Sequence, residues 1–87
     1  MKAHTRIYMD YFDYGEQSFV PCEVCGAKCI DVHHLNGRGK GKDIIKWLVG
    51  LCRYHHRCAH GLEKTLLHKD VLQKIHDDFI KINGKTL

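Results

Sequence analysis

The sequence predicts a small α+β domain stapled by zinc, and three observations predict it. The chain has 87 residues, a size at which a hydrophobic core alone supplies only a few kcal/mol and a staple is expected. It carries two pairs with metal-ligand spacing, Cys22-x-x-Cys25 and Cys52-x-x-His55, separated as in a tetrahedral zinc site. Short β-branched stretches lie between these pairs, and apolar residues recur at helical spacing toward both ends. The five cysteines, an odd number, argue against a closed disulfide framework. A single domain over 1–87 is expected, without repeats or linkers: a core at 22–61, an N-terminal aromatic arm at 1–21 and a C-terminal helix at about 68–82.

The arm carries three of the four tyrosines and two of the three phenylalanines. Ile7, Tyr8, Tyr11 and Phe12 have near-helical spacing before Gly15 breaks the pattern, so a short helix or irregular arm packs aromatic rings over the core. Such rings can also stack on bases. Phe19-Val20-Pro21 leads in as an extended segment. Cys22 to Gly26 reads as a tight turn, with Gly26 relieving the backbone where two thiolates converge. A strand is expected over Ala27–His33, with Cys29 a small buried side chain outside the ligand spacing. After a glycine-rich basic loop, Asp43 is a plausible N-cap for Ile44–Leu48. Val49–Leu51 forms a second strand that delivers Cys52. A helix follows over Arg53–His60, stopped by Gly61. In the tail, Val71, Leu72, Ile75, Phe79 and Ile82 make an amphipathic stripe that packs on the zinc module or, alternatively, forms a dimer. Asn83-Gly84 ends it.

The core holds five of the eight histidines, and their spacing separates two sets. On a strand, His33 and His34 face opposite sides. On a helix, His56 and His60 share a face, while His55 is turned about 100° from His56. Two metal positions on opposite sides of one helix result. Cys22, Cys25, Cys52 and His55 form a closed structural zinc site; His33, His56 and His60 form an open one with room for water or a phosphate oxygen. His34 beside the open site can take a proton from attacking water. His4, His68 and His76 have no partners by spacing and read as surface or packing residues.

Asp31-Val32-His33-His34-Leu35, then Leu51-Cys52-Arg53-Tyr54-His55-His56 and His60, resemble the HNH endonuclease motif in its zinc-stapled form, over about Cys22 to Gly61. The resemblance implies a ββα-metal (HNH/His-Me finger) core, in which a two-stranded ribbon and a helix clamp one divalent ion. It places His34 at the family's general base, His33 at its first metal ligand, and His56 and His60 at its metal-binding pair. It further implies hydrolysis of DNA phosphodiester bonds with one ion, Mg²⁺ or another divalent metal, that contacts the scissile phosphate. One position departs from the pattern: Trp47 stands where the family usually has its asparagine, whose amide ties the loop and helps orient the base. Asn36 is a conceivable substitute.

Lys and Arg outnumber Asp and Glu by 14 to 10, a net charge of +4, a mild excess that suits a polyanionic partner. Arg38, Lys40 and Lys42 place three cations on the glycine loop, where they can hold the DNA backbone without reading its sequence. Arg53 and Arg57 can hold phosphates too, or simply face water. The alternative to a nuclease is a zinc-finger-like DNA-binding module that keeps the scaffold and has lost cleavage, with Trp47 as its signature; a third reading is a protein-interaction domain using the tail helix. No apolar run reaches the length of a membrane span and the first residues lack a signal-peptide core, so a cytoplasmic, reducing location without membrane contact is expected. Monomer and homodimer both stay open.

Overall fold

The computed structural model describes residues 2–84, so Met1 of the arm and residues 85–87 lie outside it. A two-stranded antiparallel sheet, β1 (Asp31–His34) and β2 (Leu48–Leu51), occupies the centre. Helix α1 (Ala3–Tyr11) precedes it, α2 (Arg53–Ala59) follows directly, and α3 (Lys69–Asn83) closes the chain. A single 3₁₀ turn, Ile45–Trp47, leads into β2. The expected α+β class is observed, with three α-helices and one hairpin among the described residues. None of these helices is long and apolar enough to cross a membrane.

The register pairs Asp31 with Leu51, Val32 with Gly50, His33 with Val49 and His34 with Leu48. Because side chains alternate along a strand, this pairing sorts the core into two layers. Val49 and Leu51 pack with Cys22, Leu35, Cys52 and Leu72. Val32 and Leu48 pack on the other face with Tyr8 of α1. Gly50 permits that second contact: a Cβ there would lie 2.8 Å from the Tyr8 hydroxyl, closer than real side chains approach. The aromatic arm is thus a helix, and its rings are used for packing: Phe12 lies 4.9 Å from Tyr8 and 5.3 Å from Phe79 of α3, centroid to centroid.

Several elements differ from the sequence expectation. The first strand begins at Asp31 rather than Ala27, because the extended residues before it are spent on the turn around residues 22–26. The Cys22 N–H donates to Ala27 O at 2.6 Å and the Cys29 N–H to Val20 O at 2.8 Å, which leaves only a bridge between Pro21 and Lys28. β2 starts one residue early, at Leu48. Asp43 does not cap the turn after it: Ile44 is the cap residue and no side chain bonds there. Helix α2 ends at Ala59 with His60 as C-cap, and Gly61 takes the left-handed φ of 72° that stops it.

The tail helix keeps Leu72, Ile75 and Phe79 of the expected stripe on its inner side but shifts that face toward His76. Leu72 and His76 are its buried residues, whereas Val71 and Ile82 of the expected stripe are exposed. The cause lies in the turn that begins at Cys22. The Glu23 side chain is fully buried and pairs with His76 Nδ1 at 2.7 Å. It also accepts from the Tyr8 hydroxyl and, at 3.1 Å, from the Gly50 N–H, while the other ring nitrogen of His76 bonds Ile45 O. One carboxylate therefore joins α1, β2 and α3. Burial opposes charge on His76, but the hydrogen bond and charge of Glu23 outweigh it and hold the imidazole pKa above its ordinary value.

Candidate metal centres

The first centre forms where the knuckle meets the start of α2. Sγ of Cys22, Cys25 and Cys52 and a ring nitrogen of His55 all lie within 4.8 Å of one another. Zinc bound to sulfur at about 2.3 Å in a tetrahedron separates its sulfurs by about 3.8 Å. Cys25 Sγ and Cys52 Sγ are 3.8 Å apart, and His55 Nδ1 lies 3.8 Å from Cys22 Sγ and 3.3 Å from Cys52 Sγ. Donor chemistry and spacing both fit zinc. The five cysteines are free thiols, and this Cys₃His group can hold a metal ion such as zinc.

Local structure supplies the geometry. Gly26, at φ 81°, turns the knuckle so that its N–H donates to Cys22 O at 2.9 Å. Cys52 is the N-cap of α2 and its sulfur accepts from the His55 N–H at 3.5 Å. Burial pushes the Cys52 thiol pKa up, but the His55 N–H and the neighbouring thiols pull it below its ordinary value, which favours the thiolate a metal needs. Cys29 stands apart, half-buried, with its thiol raised to about 11 chiefly by burial. A metal ligand needs the opposite shift.

The second group lies on the sheet face that α2 covers. Helical spacing brings His56 and His60 together, Nε2 to Nε2 at 3.0 Å, and the strand register delivers His33 beside them. The His33 ring centroid is 5.3 Å from that of His56 and 5.0 Å from that of His60. One nitrogen from each of the three rings falls within a 4.8 Å cluster. Ligands at right angles around an ion with metal–nitrogen bonds of about 2.1 Å sit about 3.0 Å apart, which the His56–His60 pair matches. Burial, reinforced by His56 and His60, lowers the pKa of His33 to about 4. Burial and then His60 lower that of His56. Both rings are thereby kept neutral, as ligands must be. Asp31 Oδ2 stands 4.0 Å from His56 Nδ1, on the far side of the ring from Nε2, beyond hydrogen-bond range but close enough for its charge to act on the ring.

The family models, the curated proteins and the solved structures contain no match to this chain.

The three histidines, Asp31, His34 and Arg38 line one open cleft of about 220 Å³. His34 projects from the opposite side of β1 to His33; its Nε2 lies 2.9 Å from Asp43 Oδ1 and its ring centroid 4.3 Å from that of His4. Of the five cations expected to contact phosphate, Arg38 alone lines the cleft. Lys40 and Arg53 are exposed beyond it and Lys42 folds over the loop near Gly37 and Gly39. Arg57 donates from Nε to Glu63 at 2.7 Å, which ties it to its own surface. Asn36 does not turn to His34: its Oδ1 accepts from Lys69 Nζ at 3.4 Å, toward α3. The Trp47 side chain packs on the core and its carbonyl accepts from the Leu35 N–H at 2.8 Å, so the loop is closed by backbone. Sequence reasoning missed Asp43 and His4 as neighbours of His34, and Glu23 as a buried hub; no local spacing marks any of them.

Proposed function

We propose that this chain is a metal-dependent HNH-type endonuclease that hydrolyses DNA phosphodiester bonds, using a ββα-metal core in which β1, β2 and α2 hold the ion. The observation that carries this reading is the cleft that brings three clustered imidazoles, a fourth histidine outside that cluster and an arginine onto one surface. A purely structural zinc module needs the Cys₃His group alone.

In this mechanism Arg38 binds a non-bridging phosphate oxygen and sets the backbone in the cleft. His34 takes the proton from a water as its oxygen bonds to phosphorus and the P–O3′ bond breaks. His33, His56 and His60 would hold a divalent ion, which when bound supplies positive charge against the phosphate and the departing oxygen. Three imidazoles suit a transition ion such as Ni²⁺ or Zn²⁺ better than Mg²⁺ or Mn²⁺, which prefer oxygen donors.

Trp47 favours a second reading, a DNA-binding module on the same scaffold without cleavage, because it removes the family's loop amide. Nicking of supercoiled plasmid by the purified protein, with Mg²⁺, Mn²⁺ and Ni²⁺ against EDTA, separates the two. Metal-dependent nicking that falls by about 10²–10⁴ in His34→Ala supports the nuclease. Binding without product under every ion supports the module.

A further inference from the structure

We propose that Asp43 is a positioning residue: with His4 it fixes the ring of His34 so that Nε2 carries the proton and the Nδ1 lone pair faces the cleft. The inference rests on the nuclease reading and assigns the device that orients its base.

The chemistry of the pair sets the tautomer. An ionised carboxylate only accepts, so the 2.9 Å contact from His34 Nε2 to Asp43 Oδ1 requires Nε2 to be the protonated nitrogen, and in the neutral ring Nδ1 is then the acceptor. His34 Nδ1 has no protein partner among the described residues, yet none of their buried side-chain nitrogens or oxygens lacks one. Among the described residues, Nδ1 is thus left to solvent. His34 lines the cleft that holds His33, His56, His60 and Arg38, and the proposal directs the lone pair into it, where water and phosphate would sit.

The surroundings hold this orientation. The His34 side chain is 8% exposed, Asp43 41%, so the carboxylate approaches from the rim while the ring stays enclosed. His4, 7% exposed, lies with its centroid 4.3 Å away at an interplanar angle of 55° and blocks rotation of the ring. The glycine loop makes the approach possible: Gly37, Gly39 and Gly41 all have positive φ, folding the chain back so that Asp43 meets a residue nine positions earlier. Asp43 caps no helix, so the bond to His34 is the use this geometry makes of it. A carboxylate that fixes tautomer and orientation is the third member of a triad in acyl-transfer enzymes; here it takes up the orienting task that the usual asparagine would perform at position 47.

The test uses the full zinc-loaded chain with Asp43→Asn and Asp43→Ala. Asparagine keeps the size of the loop residue but can donate as well as accept, so a role in loop shape alone would survive it. Long-range ¹H–¹⁵N spectra should show neutral His34 as the Nε2–H tautomer in the native chain and a mixture in both variants. Plasmid nicking should fall by about 10–100-fold in both, in kcat, with KM for DNA and the affinity of the three-histidine group for Ni²⁺ unchanged. A native tautomer in Asp43→Ala, or native nicking by Asp43→Asn, would overturn the proposal. If the native chain gives no nicked product with any of the ions, the nuclease reading fails separately. The tautomer then decides alone: a change in the variants upholds the positioning role and an unchanged ring refutes it.

Discussion

Replacing Glu23 by alanine should destabilise the domain by about 4 kcal/mol, although nothing in the sequence distinguishes this residue from a solvated charge in a zinc knuckle. Its side chain is fully buried and satisfies three groups: His76 Nδ1 at 2.7 Å, the Gly50 N–H at 3.1 Å and the Tyr8 hydroxyl. Breaking a buried pair from one side costs about 3–5 kcal/mol, and each abandoned neutral donor adds about 1–3 kcal/mol before water enters the space. These terms overlap and water can satisfy the neutral donors, so the expectation is the cost of the broken pair, about 4 kcal/mol, rather than the full sum. A domain of this size has about 4–13 kcal/mol in total, and at about 4–8 °C per kcal/mol the melting temperature should fall by more than about 15 °C. Thermal and urea melts at saturating zinc keep metal linkage constant, and zinc stoichiometry checks that the flanking Cys22 and Cys25 still bind. Tyr8→Phe, which removes one bond to a charged acceptor, should cost about 1.5–3 kcal/mol. A Glu23→Ala protein with full zinc and stability within about 1 kcal/mol of native would refute the reasoning. The same hub sets a pH dependence. The folded pKa of His76 lies above its ordinary 6.5, so its contribution is complete below that value and is lost as pH rises through the folded pKa. The stability difference between native and His76→Gln should therefore be largest below pH 6.5 and shrink above it.

Chelation of zinc, or Cys52→Ala, should abolish the cooperative unfolding transition seen by circular dichroism, because the Cys₃His group links the knuckle to α2 and structural metal binding is folding free energy; a cooperative melt without metal would contradict this. His56→Ala should weaken binding of Ni²⁺ at the second group by at least about 10-fold by calorimetry, leaving the first zinc and the fold in place. Arg38→Ala should weaken DNA binding about equally across sequences and lower the slope of log K against log salt by about 1, whereas Arg57→Ala, whose guanidinium is held by Glu63, should change that slope little.

Both metal groups were legible in the sequence because their geometry is local. Cys22-x-x-Cys25 and Cys52-x-x-His55 converge by turn and helix-cap geometry, His56 and His60 share a face by the helical repeat, and His33 and His34 diverge by strand alternation. Those periods hold whatever the rest of the chain does, and the α+β class followed from them. Only the tertiary structure decided which register the strands take, which face α3 buries, and that Asp43, rather than Asn36, meets His34. Glu23 and His76 stand 53 positions apart, and no repeat or spacing connects them. A charged residue is placed in a core by the partners that satisfy it there, and those partners are brought together only when the whole chain has folded.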